Sequence, residues 1–320
     1  MRQLRCLGGD RVELVEVPDP VPGAGEALIR VEASALCGSE RSVLVAGSDG
    51  LPFANAGHEA AGVVAWAPEG AAVAVGDRVG ISGLRGCTSC AACRAGCEVR
   101  CPGVRAQVGL HAELAAVGVD TLRPLPAGVP AGQAVLLAGD ALGVPVRSLR
   151  RAPSAPGERV LVLGLGPVGL SHVLVRVHAG SEVIAVEPSA YRRALAAELG
   201  ATVLGPDDAV PSAPLVIEAT GVPAVITSAF GHCEPGGRVL QSGECGSVEL
   251  QPSAQVIHRE ITYLGSWFYA SQDYPQMLAM VADGLDVAKL LTHVVAAADA
   301  QSAVDAFVGG ESGKVVLAWG

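Results

Sequence analysis

The sequence predicts two parts of different architecture: a β-rich antiparallel part, and an α/β part built on a doubly wound parallel sheet. Three observations predict this. The early chain alternates apolar and polar residues between turn residues. The chain after Pro153–Gly157 alternates short buried-strand runs with helical runs. A length of 320 residues also exceeds what one ordinary core organises.

The elements follow in order. Val12–Val17 and Glu26–Ala33 read as strands around a Pro18–Gly25 loop, and Ala61–Ala67 is a further strand after Gly57-His58-Glu59. Beyond Pro153–Gly157 come strand Arg159–Leu163, a glycine turn, helix Val168–His178, strand Glu182–Val186 and helix Ser189–Leu199. Leu215–Glu218 and Arg238–Gln241 are two more buried strands with a helix between them, and Ile261–Leu264 is a sixth candidate. A helix at Tyr274–Asp283 and a strand at Lys314–Trp319 close the chain.

Composition narrows the function. Hydrophobic residues make up 50% and charged residues 17%, so a large core is available; at 3% aromatic, Ala, Val and Leu must fill most of it. Few rings are then left for stacking on bases, and a net charge of −10 disfavours nucleic acid and anionic membranes as partners. The N-terminus lacks the apolar stretch of a secretory signal, and no run of about 18 apolar residues predicts a membrane span. Nine cysteines without an export signal point to reducing cytoplasm and metal ligation rather than disulfides.

Gly164-Leu165-Gly166-Pro167-Val168-Gly169 is a G-x-G-x-x-G run that follows a predicted strand and opens a predicted helix. Gly164 permits the tight turn, Gly166 leaves room for a pyrophosphate, and Gly169 lets helix and strand pack closely. Pro167 and Val168 begin the helix whose N–H groups meet the phosphates. Glu187 ends the next strand about 20 positions on, where an acid accepts hydrogen bonds from the adenosine ribose. Its charge would repel a 2′-phosphate, which favours NAD over NADP. Arg192 and Arg193 lie one helical turn later and would meet a 2′-phosphate if Glu187 swung away.

Cys87, Cys90, Cys93 and Cys101 fall as C-x2-C-x2-C-x7-C. Two-residue gaps let successive thiolates converge on one tetrahedral ion, and four thiolates leave zinc no open position, so this is a closed structural site. Cys97 lies inside the lobe but off the pattern, as a spare thiol or a substitute for Cys101. A second constellation is Cys37-Gly38-Ser39-Glu40 with Gly57-His58-Glu59, near predicted strand ends. One Cys, one His and a carboxylate can form a zinc site with an open position, although a His beside a Glu also occurs as an ordinary paired residue.

Together these segments resemble the zinc-dependent medium-chain dehydrogenases, the family of alcohol, sorbitol and threonine dehydrogenases. Matching segments run nearly end to end: Cys37–Glu40, Gly57–Gly62, Gly76-Asp77-Arg78-Val79, the cysteine lobe, the glycine turn, Val216–Gly221, Pro235–Val239 and Gly313-Lys314-Val315-Val316. The resemblance implies a GroES-like β-barrel catalytic domain, residues 1–145 and 267–320, with an inserted Rossmann domain, residues 146–266. It implies a homodimer or homotetramer acting on a small alcohol or ketone, with two zincs per chain and NAD(H). By resemblance, Cys37 and His58 are ligands of the catalytic zinc, Glu59 is a ligand or a displaceable neighbour, and the remaining ligand position falls on Asp140. Ser39 matches the Ser/Thr that takes the substrate proton. Glu40 matches an Asp that orients the zinc-bound His, and Lys314 matches a basic position facing the cofactor pyrophosphate.

The implied chemistry is reversible oxidation of a secondary alcohol, polyol or cyclitol by hydride transfer to NAD. Two departures stand out. Ser42 occupies the position of a proton-relay His, so the relay runs through water or ribose. The region Val108–Leu114 is trimmed, which leaves His111 and Trp267 either lining the active-site mouth or serving as surface and hinge residues. His172, His178, His232 and His293 read as structural. Two other readings stand beside this one: an NAD(P)H-dependent reductase of C=C or imine bonds on the same fold, and a non-catalytic zinc-stabilised binding protein.

Overall fold

The computed structural model describes residues 1–320 and divides the chain into two compact units. The first comprises residues 1–143, 268–279 and 291–320; the second comprises residues 144–267 and 280–290. The family resemblance implies 267–320 as one run of the first unit. Met280–Leu290 instead groups with the second, because its turn Val287–Leu290 packs on helix Pro167–His178.

The first unit is built on a seven-stranded sheet. Its organising strand, Glu26–Ala35, buries Ala27, Ile29, Val31 and Ala33 by simple alternation. One edge of that strand pairs along its length with Ala60–Trp66. The other edge takes Leu114–Gly118 against Glu26–Arg30, then Lys314–Ala318 against Ala33–Ala35. All three pairings are antiparallel; the outer strand Leu291–Ala296 adds in parallel to Lys314–Ala318. Ile29, Val31, Leu36, Val79, Ile81, Val315, Leu317, Phe307 and Trp319 fill the core. Burying each such side chain contributes roughly 1.5–3 kcal/mol.

The second unit carries six parallel strands. Across the sheet they run Thr202–Leu204, Glu182–Val186, Arg159–Leu163, Ala213–Glu218, Cys233–Gln241 and Thr262–Gly265. This is the doubly wound order, whose direction of winding reverses beside Arg159–Leu163. That strand is apolar and buried from Val160 to Leu163, as expected for a strand covered on both faces. The helix after it starts at Pro167, where the missing N–H costs nothing and the ring presets φ. Thr202–Leu204 was not read in the sequence; three residues are too few to show a period. No helix is long and apolar enough to cross a membrane.

Candidate active site

Three chain runs that bear the chemistry are neighbours because their strands are neighbours. The Ala35 N–H donates to the Glu59 carbonyl at 3.0 Å, and the Leu36 N–H donates to the Val315 carbonyl at 3.0 Å. Cys37, His58-Glu59 and Lys314 therefore emerge at the same end of adjacent strands. Asp140 arrives from a different element. Helix Ala131–Ala138 lies on strands Glu26–Ala35, Ala60–Trp66 and Arg78–Ile81, so close that a Cβ at Gly80 would stand 2.0 Å from the Ala138 Cβ. Gly139 then turns the chain, and Asp140 opens helix Asp140–Arg151, where an anion is favoured by the helix dipole.

The result is a buried cluster of Cys37, His58, Glu59 and Asp140, whose ligand atoms all lie within 4.8 Å of one another. The His58 Nδ1–H donates to the Ala56 carbonyl at 3.0 Å. A carbonyl only accepts, so this contact holds a proton on Nδ1 and turns Nε2 toward the cluster. That nitrogen is buried with no hydrogen-bond partner and stands 3.5 Å from Asp140 Oδ2. Zinc bond lengths of about 2.0–2.3 Å place tetrahedral ligand atoms roughly 3.3–3.8 Å apart, so the pair is spaced for a shared ion. Electrostatics agrees. Burial pushes the His58 imidazolium down, yet Asp140 and Cys37 outweigh it and hold the pKa well above the usual value. The cluster attracts positive charge, and a soft thiolate, an imidazole and a carboxylate suit zinc.

Glu59 is held differently. Its Oε2 pairs with Lys314 Nζ at 2.5 Å, and the two side chains are 1% and 2% exposed. Burial pushes the Glu59 carboxyl above its ordinary range, against the pull of Lys314. For Lys314, burial lowers the pKa but Glu59 and Cys37 more than offset it. Lys314, expected at the cofactor pyrophosphate, lies in this unit as the counter-ion of Glu59. Glu40 also differs from expectation. It does not reach His58; its Oε1 accepts from the Cys37 N–H at 2.9 Å, and its Oε2 pairs with His111 Nε2 at 2.9 Å. The longer side chain bypasses the imidazole that a shorter Asp was expected to orient. His111 is 1% exposed, neither at a mouth nor on the surface.

Ser39 and Ser42 are exposed, and the Ser39 Oγ lies 3.5 Å from Cys37 Sγ. Phe268, which no motif singles out, sets its ring edge-on to His58 at 5.7 Å between centroids. It carries φ +47° in the left-handed region, and a Cβ at Gly83 would come within 2.7 Å of its ring. Trp267 is exposed.

The second cluster is Cys87, Cys90, Cys93 and Cys101, again within 4.8 Å; Cys97 is buried and outside it. Backbone N–H groups point at the sulfurs: Cys90 to Cys87 Sγ, Cys87 and Gly103 to Cys101 Sγ, each at 3.3 Å. A hydrogen bond from Ser89, with backbone N–H groups, pulls the Cys87 thiol down to about 6. A Cβ at Gly86 would fall 2.5 Å from Cys93 Sγ, so this glycine admits the convergence. Four sulfurs and no oxygen donor define a closed zinc site.

In the second unit, Gly164 carries φ +88° and Gly169 sits against the turn: a Cβ there would stand 1.9 Å from the Gly164 carbonyl oxygen. At Gly166 nothing lies within 4 Å, leaving the space a pyrophosphate needs. Glu187 Oε2 accepts from the Leu165 N–H at 2.7 Å and Oε1 from the Ser189 N–H at 3.0 Å. Each oxygen keeps a lone pair for a ribose hydroxyl. Ser189 Oγ caps the next helix at the Arg192 N–H, and Arg193 donates to the carbonyls of Glu187 and Pro188 at 2.7 Å.

Residues 23–127 match the family described as "Alcohol dehydrogenase GroES-like domain", and residues 167–283 match "Zinc-binding dehydrogenase". The chain is 28% identical to the 2-dehydro-3-deoxy-L-galactonate 5-dehydrogenase of Pseudoalteromonas atlantica, covering 97% of this chain and 96% of that one. It is also 28% identical to the L-threonine 3-dehydrogenase of Burkholderia cenocepacia, covering 97% of each. Among solved structures, a cobalt- and zinc-bound thermostable alcohol dehydrogenase of Pyrobaculum aerophilum is 29% identical, with a TM-score of 0.86 over 99% of both chains.

Proposed function

The chain belongs to the zinc-binding medium-chain dehydrogenase/reductase family and is a zinc-dependent, NAD-linked oxidoreductase; from that premise we propose that it interconverts a secondary alcohol, polyol or cyclitol with its ketone. The observation that carries this reading is the meeting of Cys37, His58, Glu59 and Asp140, with the buried Nε2 of His58 unpartnered. Cys37, His58 and Asp140 would hold the metal. When bound, zinc makes the substrate hydroxyl more acidic, and NAD takes up or returns the hydride.

The chain's own residues do the rest. Lys314 neutralises Glu59 and keeps that carboxylate occupied, so a position remains for substrate. Ser39, exposed beside Cys37, accepts the hydroxyl proton and passes it to water; Ser42, where a relay imidazole would stand, does not titrate near neutrality. The glycine turn cradles the pyrophosphate, and Glu187 selects a ribose without a 2′-phosphate. The names of the relatives, an L-threonine 3-dehydrogenase and a galactonate-type 5-dehydrogenase, support a polar substrate oxidised at an internal carbon.

A screen of alcohols and ketones with NAD(H) and NADP(H), read by nicotinamide absorbance, tests this. We expect NAD-dependent oxidation of secondary alcohols. Deuteride from labelled NADH should appear at a carbinol carbon; label at an alkene or imine carbon would overturn the reading.

A further inference from the structure

His111 was singled out by the sequence but has no place in the chemistry above. Its ring is buried, and both nitrogens are engaged. Nε2 meets Glu40 Oε2 at 2.9 Å and Nδ1 meets Ser34 Oγ at 2.8 Å. The Trp319 indole N–H donates to that same Ser34 Oγ at 2.8 Å, which fixes the hydroxyl from the other side. The far oxygen of Glu40 takes the backbone N–H of Cys37. A continuous chain of hydrogen bonds therefore runs from Trp319 through Ser34, His111 and Glu40 to the Cys37 backbone.

The same ring also touches the other ligand-bearing run. It packs against Gly57, where a Cβ would stand 2.6 Å from two of its carbons. The backbone around it is sewn to that run as well. The Leu110 N–H donates to the Gly57 carbonyl at 2.9 Å, and Asn55 Oδ1 accepts from both Gly57 and His111 N–H groups at 3.2 Å. Ala56, which accepts from His58 Nδ1, sits between Asn55 and Gly57.

We propose that His111 is a positioning residue for the metal centre: one imidazole that sets Cys37 through Glu40 and His58 through Gly57. The inference rests on reading Cys37, His58 and Asp140 as metal ligands. It explains why Glu40 stands where a shorter acid was expected. The longer side chain spans from the Cys37 N–H to His111, and His58 takes its orientation from Ala56 instead. Groups that orient ligands typically change metal affinity by about 10- to 100-fold when removed.

The test uses full-length protein with cobalt or zinc as probe. In His111→Phe, competition with a chelator should show metal affinity at the open site lowered about 10- to 100-fold, with the cobalt–thiolate absorption band shifted or weakened. The four-cysteine site should hold its metal as before. His111→Gln, which keeps a donor toward Glu40, should restore most of the affinity. In a Glu40→Gln background the His111→Phe effect should shrink, because the link to Cys37 is already cut. Should His111→Phe fail to fold, Ser34→Ala carries the test, with a smaller loss in the same direction.

Wild-type affinity and an unaltered cobalt band in the folded variants would overturn the inference. Cys37→Ser separates the two levels. If it weakens binding and the His111 and Ser34 variants do not, the inference alone is overturned. If Cys37→Ser leaves binding intact, the metal-centre reading is overturned and the inference with it.

Discussion

The Ser39 hydroxyl meets the Cys37 sulfur at 3.5 Å, and the residue is exposed. A serine with only that packing role would be replaceable by alanine at little cost to rate. As the group that receives the substrate proton, its removal should lower kcat by about 10²- to 10⁴-fold while zinc content and melting temperature stay unchanged. Steady-state kinetics of Ser39→Ala with metal analysis on the same sample decides it, and undiminished turnover would rule out the role. At this scale the sequence supplied donors and not their neighbours. Cys37, His58 and Glu59 were legible because metal chemistry restricts residue type, and Asp140 was reached only through the family resemblance. Lys314 beside Glu59, Phe268 beside His58 and His111 beside Glu40 were not, because each contact joins runs far apart in the chain and no local spacing encodes it.

Elements with a strong period or a compulsory turn were legible. The glycine turn was read with a reason for each glycine, and the structure separates those reasons. Gly169→Ala would drive a Cβ into the Gly164 carbonyl, a backbone atom that cannot yield, whereas Gly166→Ala meets open space. Gly169→Ala should therefore lower the melting temperature, with or without nucleotide. Gly166→Ala should melt like the parent and bind NADH less tightly, because the methyl occupies pyrophosphate space. Calorimetric melts and NADH titrations of the pair check this; equal stability loss in both would contradict it. The helix that follows carries a second consequence. Burial, with Arg176 one turn on, holds the His172 imidazole down at about 3, and its Nε2 meets Ser242 Oγ at 3.1 Å. Above the unfolded pKa of about 6.5 both states are neutral and stability is fully present. As pH falls from there toward 3, the unfolded chain binds a proton that the folded chain refuses, so stability drops by about 1.4 kcal/mol per pH unit. Thermal melts of His172→Asn across that window should show a flatter acid limb than the parent, and identical limbs would show that His172 is not the group responsible.

At the scale of the molecule, composition and spacing could not show which distant runs share a unit; only the family resemblance grouped the two ends of the chain. The first unit is assembled from three separated stretches, and one buried polar knot ties two of them together around the cysteine lobe. Glu98, inside the lobe, accepts through Oε1 from Arg123 Nη2 at 2.9 Å, from the Ser271 N–H at 2.9 Å and from the Ser271 hydroxyl at 2.7 Å. The Gln272 N–H adds a bond to the Gly96 carbonyl at 3.0 Å. Glu98 and Arg123 side chains are only 9% and 7% exposed, so neither charge has water to fall back on. Removing one partner from such a pair costs about 3–5 kcal/mol, because the other is left buried and uncompensated. Arg123→Met should therefore lower the melting temperature and loosen the lobe, so that a chelator strips the four-cysteine zinc faster than from the parent. Glu98→Gln combined with Arg123→Met should recover part of the loss, since the stranded charge is gone while an amide oxygen still receives Ser271. Release of zinc followed with a metallochromic dye, beside melts of the three variants, distinguishes this from a passive surface lobe: zinc release at the parental rate in Arg123→Met would mean that the four thiolates hold the lobe without help from the rest of the unit.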